Sequence, residues 1–205
     1  REKEDEDLFW ALRGGGGNFG VVTSFEYRLH PIKDILVGIF VFPLDRARDM
    51  FQFFREFIVT APEELGTYPA YLVAAPLPFL PEEAHGKTFC AMVACWAGPL
   101  EKGEEALAPI RKIGPTVGEL VTPMPYPAIN ALFDALLPPG LQQYWKGAFA
   151  TELTDGAIEA HLEHGPKIPT VNCAMHIYPL DGACGRVSPD ATAFAHRDAR
   201  FATVI

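Results

Sequence analysis

The sequence predicts an α+β fold, a mostly antiparallel sheet with helices on one face. Segments with period-two apolar alternation and segments with helical periodicity follow one another along 205 residues. No Gly/Ser-rich linker separates them, and the 19 prolines sit mostly at segment boundaries. A content of 49% apolar and 12% aromatic residues belongs to a globular chain with a real core.

The elements read in order from the N-terminus. "REKEDED" is a solvated stretch. In "DEDLFWAL", acidic residues precede Leu8, Phe9 and Leu12 at helical spacing, which predicts a short helix. Four glycines follow, and then "VVTSFEYRL", where Val21, Thr23, Phe25, Tyr27 and Leu29 alternate as on one face of a strand. After His30 and Pro31, "DILVGIFVFPL" reads as a strand. "DRARDMFQFFREFIVTAP" reads as a helix with an apolar stripe at Met50, Phe54, Phe57 and Ile58. "LGTYPAYLVAA" and "KTFCAMVACWAG" are strands joined by a proline-rich loop. "PLEKGEEALAPIRKIG" is predicted as an amphipathic helix and "GELVT" as a short strand. "YPAINALFDALL" reads as a helix with Ile129, Leu132, Phe133, Leu136 and Leu137 on its core side. "QYWKGAFAT" is a strand, "TDGAIEAHLEHG" a helix capped by Thr154, and "TVNCAMHIYPL", "ACGRVS" and "ARFATVI" are the last strands.

A net charge of −9 without any Lys/Arg block argues against nucleic acid and anionic membrane surfaces as partners. A small neutral or cationic ligand remains open. Cys90, Cys95, Cys173 and Cys184 lack metal or redox spacing and read as free thiols. His161, Glu163 and His164 lack the spacing and third ligand of a metal site, so they read as an exposed helix face, and no metal is expected. No signal peptide or membrane-length apolar run is visible, and localisation is left open. The abrupt start in "REKEDED" and the strand-like end in "RFATVI" suggest a fragment.

Two strands indicate which way the sheet faces. In 170–178, Val171, Cys173, Met175 and Ile177 point one way, and Asn172, His176 and Tyr178 the other. In 143–151, Trp145 and Phe149 share a face, with Tyr144 and Lys146 opposite. With the apolar sets turned to the helices, the second face collects Tyr144, Lys146, Asn172, His176 and Tyr178. That face is either an open sheet surface or the roof of a ligand site.

Gly15, Gly17 and Gly20 match the spacing of a dinucleotide loop, but here a helix precedes the glycines and a strand follows them, the reverse of the Rossmann order. A P-loop is excluded because no Gly-Lys-Ser/Thr follows. A structural turn and a cofactor contact both remain readings of the spacing.

The segment "DLFWALRGGGGNFGVVTSFEYRLHP" resembles the end of the FAD-binding domain in FAD-linked oxidases of the berberine bridge enzyme type, within the vanillyl-alcohol oxidase superfamily. "YWKGAF", "LTDGAIEA" and "GACGRVSPDATAFAHRDARF" extend the resemblance across the chain. It implies that residues 1–31 end an FAD-binding domain and that 32–205 form a substrate domain whose sheet covers the flavin ring. It places Gly14, Gly15, Gly16, Gly17, Asn18, Phe19, Gly20, Val21 and Val22 against the FAD, and Tyr144, Lys146, His176 and Tyr178 near the substrate. His196 and Arg197 fall in the family's Phe-x-His-Arg segment, with either a structural or a substrate role. The family's Gly-Gly turn reads Asp181-Gly182 here. The residues that hold flavin covalently in such enzymes, and the strand that supplies a catalytic Glu or Tyr in several of them, lie outside this chain. The implied reaction is hydride removal from an alcohol, amine or sugar-like carbon, with dioxygen or another acceptor taking the electrons. The chain alone is expected to be inactive and prone to self-association through its uncovered surface. A binding or assembly module that kept the fold without the chemistry is the alternative.

Overall fold

The computed structural model describes residues 4–205. The first three residues of the acidic N-terminal run lie outside them. Seven strands form one sheet: β1 (Asp34–Phe42), β2 (Leu65–Val73), β3 (Thr88–Trp96), β4 (Gly118–Pro125), β5 (Gly147–Ala150), β6 (Ala174–Pro179) and β7 (Phe201–Val204). Their order is β4-β1-β3-β2-β6-β7-β5, and every pairing is antiparallel. The helices are α1 (Glu6–Leu12), α2 (Ala47–Phe57), α3 (Gly103–Leu107), α4 (Tyr126–Ala131), α5 (Asp155–His164) and the single turn α6 (Gly182–Gly185).

The core follows from the apolar runs. Residues 35–42 of β1 are all buried, as expected for a near-continuous apolar strand covered on both sides. Leu36, Phe40 and Phe42 meet Met50, Phe51 and Phe54 of α2, Leu107 of α3 and Ile158 of α5 in the main cluster. Ile35, Val37, Ile39 and Val41 face the other way, against Leu80, Ile129, Leu132 and Phe133. The sheet thus carries α2, α3 and α5 on one face, while α4 and the proline-rich loop cover the other face only at the β1 end. Exposed ion pairs from Arg48 to Glu159 and from Arg55 to Asp155 (2.6 Å) join α2 to α5, and such pairs add little to stability.

Several predicted elements differ. Residues 20–33 form no regular structure, although 21–29 alternate like a strand. Alternation makes a strand only where an edge offers hydrogen bonds, and this segment pairs with neither β4 nor β5. Its alternation survives locally, since the rings of Phe25 and Tyr27 stack at 5.6 Å. The helix predicted for 99–114 splits into a 3₁₀ turn, α3 and the 3₁₀ stretch Ala108–Ile113, because Pro109 removes an α-helical N–H. The helix predicted through Leu137 stops at Ala131 and resumes only as the 3₁₀ turn Asp134–Leu136. "ACGRVS" forms no strand: its first three residues belong to α6, and 186–188 leave the helix as irregular chain. Gly182 supplies the positive φ (+56°) there, while Asp181 is extended, so the turn has no need of glycine at 181. The Thr154 hydroxyl accepts from the amide of Ala157, which sets the start of α5.

Candidate functional site: a glycine turn beside an aromatic sheet face

The glycine turn begins where α1 ends. Asp5 caps α1 through the amide of Leu8, and the amide of Gly15 closes onto the carbonyl of Ala11 at 2.9 Å. Gly14, Gly16 and Gly20 have φ of +121°, +77° and +129°, values that L side chains rarely adopt. Around Gly17 and Gly20 nothing lies within 4 Å of an added Cβ. The peptide groups of Val21 and Val22 have no protein partner among the described residues. The turn therefore offers an open stretch of backbone, the kind of surface that can approach a large planar or phosphorylated ligand.

Gly14 has a different role. A Cβ there would lie 2.6 Å from Cα and 2.7 Å from Cβ of Phe194, so glycine is what lets the 190–194 segment sit on the turn. Three hydrogen bonds hold that contact: Trp10 Nε1 donates to the carbonyl of Asp190 (2.8 Å), Arg13 to that of Ala191 (3.3 Å), and the amide of Ala193 to the carbonyl of Trp10 (3.3 Å). Arg197 braces the segment from behind. Its guanidinium lies over the Phe194 ring at 4.9 Å and donates to Thr192 Oγ1 at 2.8 Å and to the carbonyl of Cys184.

Phe194 leads to the sheet. Its ring meets Phe149 at 5.6 Å, and His196 stacks on Phe149 at 4.3 Å. Phe149 stands opposite Ala202 in β7, and Ala202 opposite Tyr178 in β6. Directly paired residues share a face, so Phe149, Tyr178 and His176 lie on one side, away from Met175 and Ile177 in the main core. Tyr68 of β2 completes the group, 4.8 Å from the Tyr178 ring and 5.5 Å from that of His176. Tyr178 Oη and His176 Nδ1 are 2.8 Å apart, a hydrogen bond between side chains two residues apart on the same strand face. Burial lowers the His176 pKa to about 4, which makes the imidazole neutral, and burial raises both tyrosines.

The predicted face is thus partly redrawn. His176 and Tyr178 lie opposite α2 and α5. Lys146 does not join them: its amide and carbonyl pair with Ile205, which puts it in the alternation of Ala148 and Ala150, on the Phe201 side. Phe149, expected beneath the helices, takes the aromatic face instead. The error is one residue of parity, which reverses a whole strand. Tyr144 is exposed outside β5, and Asn172 sits in a turn where its side chain donates to the carbonyl of Leu136 at 2.7 Å. Tyr68 and Phe194 are additions that alternation within β2 and the Gly14 contact bring in. His161 also differs from expectation. It is 7% exposed, donating from Nδ1 to the carbonyl of Ala157 and packing on Phe51, with Nε2 unpartnered.

Two lowered histidines give the fold an acid-sensitive component. Burial pulls the pKa of both His161 and His176 down, so the folded state resists protonation. Their contribution is fully present above the ordinary histidine value of about 6.5 and is lost as pH falls toward 4. The expected result is a loss of about 2–3 kcal/mol from His176 in urea-measured stability between about pH 7.5 and 4.5, with His161 acting in the same direction, and a flat profile across that range contradicts it.

Among the described residues, no group of three or more His, Cys, Asp or Glu side chains is placed to hold a metal ion. No helix among them is long and apolar enough to cross a membrane.

No family model matches the chain. An FAD-linked oxidoreductase of Dictyostelium discoideum is 30% identical over 98% of the chain and 42% of its own length. The uncharacterized FAD-linked oxidoreductase YgaK of Bacillus subtilis is 29% identical over 94% of the chain and 41% of its length. Among solved structures, a glucooligosaccharide oxidase of Acremonium strictum superposes with a TM-score of 0.73 at 23% identity, covering 99% of the chain and 44% of that protein. A berberine bridge enzyme-like protein of Arabidopsis thaliana gives 0.74 at 18% identity, covering 100% and 43%. The homologues of this chain are FAD-linked oxidoreductases, and its fold is that found in berberine bridge enzyme-like and carbohydrate oxidases. The chain spans less than half the length of these relatives.

Proposed function

We propose that this chain is the substrate-domain part of an FAD-dependent oxidoreductase that removes hydride from an alcohol, amine or sugar-like carbon. Residues 1–31 close the FAD-binding domain and 32–205 form the substrate domain. The observation that carries the reading is the junction at Phe194, where the glycine turn and the aromatic face meet through Gly14 on one side and Phe149 on the other. The open backbone from Gly16 to Val22 fits an FAD contact, since nothing lies within 4 Å of a Cβ at Gly17 or Gly20 and the peptide groups of Val21 and Val22 have no partner among the described residues. When bound, FAD supplies the two-electron acceptor, with dioxygen or another oxidant taking the electrons onward. The chain's own part is to hold the substrate against Tyr68, Phe149, His176 and Tyr178 and to keep the reacting carbon dry.

The test uses the longer protein and the 205-residue chain side by side. The longer protein is expected to purify yellow, and Gly20→Val to lower its flavin content, because valine at φ +129° costs about 1–3 kcal/mol. Gly17 has no positive φ, so Gly17→Val acts there only by intruding on the cofactor. The 205-residue chain is expected to bind FAD weakly, since one face of the site cannot offset the entropy of capturing a large ligand. A colourless longer protein favours the non-catalytic module. Micromolar FAD binding by the 205-residue chain contradicts the one-sided site.

A further inference from the structure

The two edges of the sheet are built differently. β4 carries Pro123 and Pro125, and because the amide of Tyr126 donates to the carbonyl of Lys33 (2.8 Å), both prolines fall at positions whose backbone points away from β1. Proline there removes donors from the free edge, a common protection against strand addition. β5 has no such device. Gly147–Ala150 holds neither proline nor charge, all four residues are exposed, and β7 is the strand's one partner among the described residues. Lys146 exchanges both backbone bonds with Ile205, and the amide of Arg200 donates to the carbonyl of Ala150, so the even-numbered residues turn their peptide groups to β7. Those of Gly147 and Phe149 then point outward, unpaired. Opposite charges flank this edge at equal distance. Lys146 lies three residues before Phe149 and Glu152 three residues after it, and neither forms an ion pair among the described residues.

We infer that the free edge of β5 docks the β5 edge of a second copy of this chain, giving a two-fold dimer whose sheet runs from one copy into the other. An antiparallel pair of identical strands is self-complementary and closes on itself, so it yields a dimer and not a fibre. The charges choose the register. With the two-fold axis at Phe149, the outward peptide groups of Phe149 exchange bonds with those of the same residue in the second copy, and Gly147 meets Thr151. Lys146 then stands opposite Glu152, twice over by symmetry. Unlike charges directly opposed across a strand pair attract, and moving the axis to Ala148 or Ala150 breaks both pairs. Ala148 stands opposite Ala150 on the same side, and no bulky side chain there holds the strands apart. Thr151 and Glu152 form a bend past β5 with no backbone hydrogen bond of their own, so they are free to extend the pair. An edge this short buries less than the ~1,200 Å² of a stable interface, which makes the dimer weak, with a Kd of about 10–100 µM.

Sedimentation velocity of the longer protein over a range of concentrations is the test, with flavin content measured on the same samples. The protein is expected to pass from monomer to dimer as concentration rises. Lys146→Glu and Glu152→Lys each set like charges opposite one another twice, so each is expected to weaken the dimer by ~10-fold or more, and the double variant is expected to restore it. Circular dichroism checks that the single variants fold. Thr151→Pro removes an outward N–H and no backbone bond within the chain, and it is expected to weaken the dimer with no change of charge. A monomer at every concentration up to about 1 mM overturns the inference. So does a dimer indifferent to the charge reversals, which then forms through another surface such as residues 20–33. Failure of the double variant to recover overturns the pairing about Phe149. Oligomeric state is read without reference to flavin, so a colourless protein that dimerises in this way removes the oxidoreductase reading and leaves the β5 interface standing.

Discussion

Gly165→Val is expected to remove most of the stability of this chain. Gly165 follows α5 with ordinary helical dihedrals, so backbone strain is not the reason for glycine. The reason is space. A Cβ at this position falls inside contact distance of the Tyr71 ring, with Cγ at 2.7 Å and two further ring carbons closer still. Tyr71 has no exposed surface and packs on Phe51, whose ring also meets His161 of α5. A methyl group therefore has to push an aromatic ring into a packed interior or lift the end of α5 from the sheet. Overpacking of this kind costs about 1–3 kcal/mol for one added carbon and more for a branched side chain. Against a native stability of about 5–15 kcal/mol, Gly165→Ala is expected to be folded but weakened and Gly165→Val marginal at room temperature. Urea denaturation followed by circular dichroism measures both. Gly17→Ala is the control, with nothing near the new methyl group and an expected change below about 0.5 kcal/mol. Equal stability of the Gly165 and Gly17 variants shows that the Tyr71 ring can slide aside.

The parts of this fold legible in the sequence are those where one physical effect decides. The near-continuous apolar run of β1 means burial on both faces, and the Thr154 hydroxyl means a helix start. Met175 and Ile177 alternate with His176 and Tyr178, which assigns both faces of β6 from composition alone. Strand β5 was not legible in the same way. Its four residues, Gly-Ala-Phe-Ala, hold one large side chain, and only pairing with β7 says on which face it stands. In 21–29 the alternation is clean, yet a strand is made by its neighbour, and no neighbour is present among the described residues. The glycine turn shows the same limit. Spacing revealed that backbone freedom was needed, but the reason for Gly14 is Phe194, far along the chain, and no local pattern carries that contact.

Gly14→Val is expected to release α1 from the 190–194 segment while leaving the main core folded. Two costs fall on one residue. Valine at φ +121° is strained by about 1–3 kcal/mol, and its Cβ meets the Phe194 backbone, which adds an overpacking cost of similar size. Opposing them are three hydrogen bonds, two of them exposed donor contacts from Trp10 and Arg13, each worth about 0.5–1.5 kcal/mol net. No residue of α1 is buried in the core, so the helix can leave at little further loss. Detachment is therefore the cheaper response to the substitution. Hydrogen exchange in residues 6–14 is expected to quicken, and the Trp10 indole, freed from the carbonyl of Asp190, is expected to show red-shifted fluorescence. The urea midpoint of the sheet and α2 should move little, because their contacts lie in a separate cluster. In the longer protein the same substitution separates the glycine turn from the aromatic face, so flavin content and substrate affinity should fall together. Unchanged exchange in α1 shows that the 190–194 segment yields in place of the helix. Retained flavin with α1 detached removes the Phe194 junction from the account of the site.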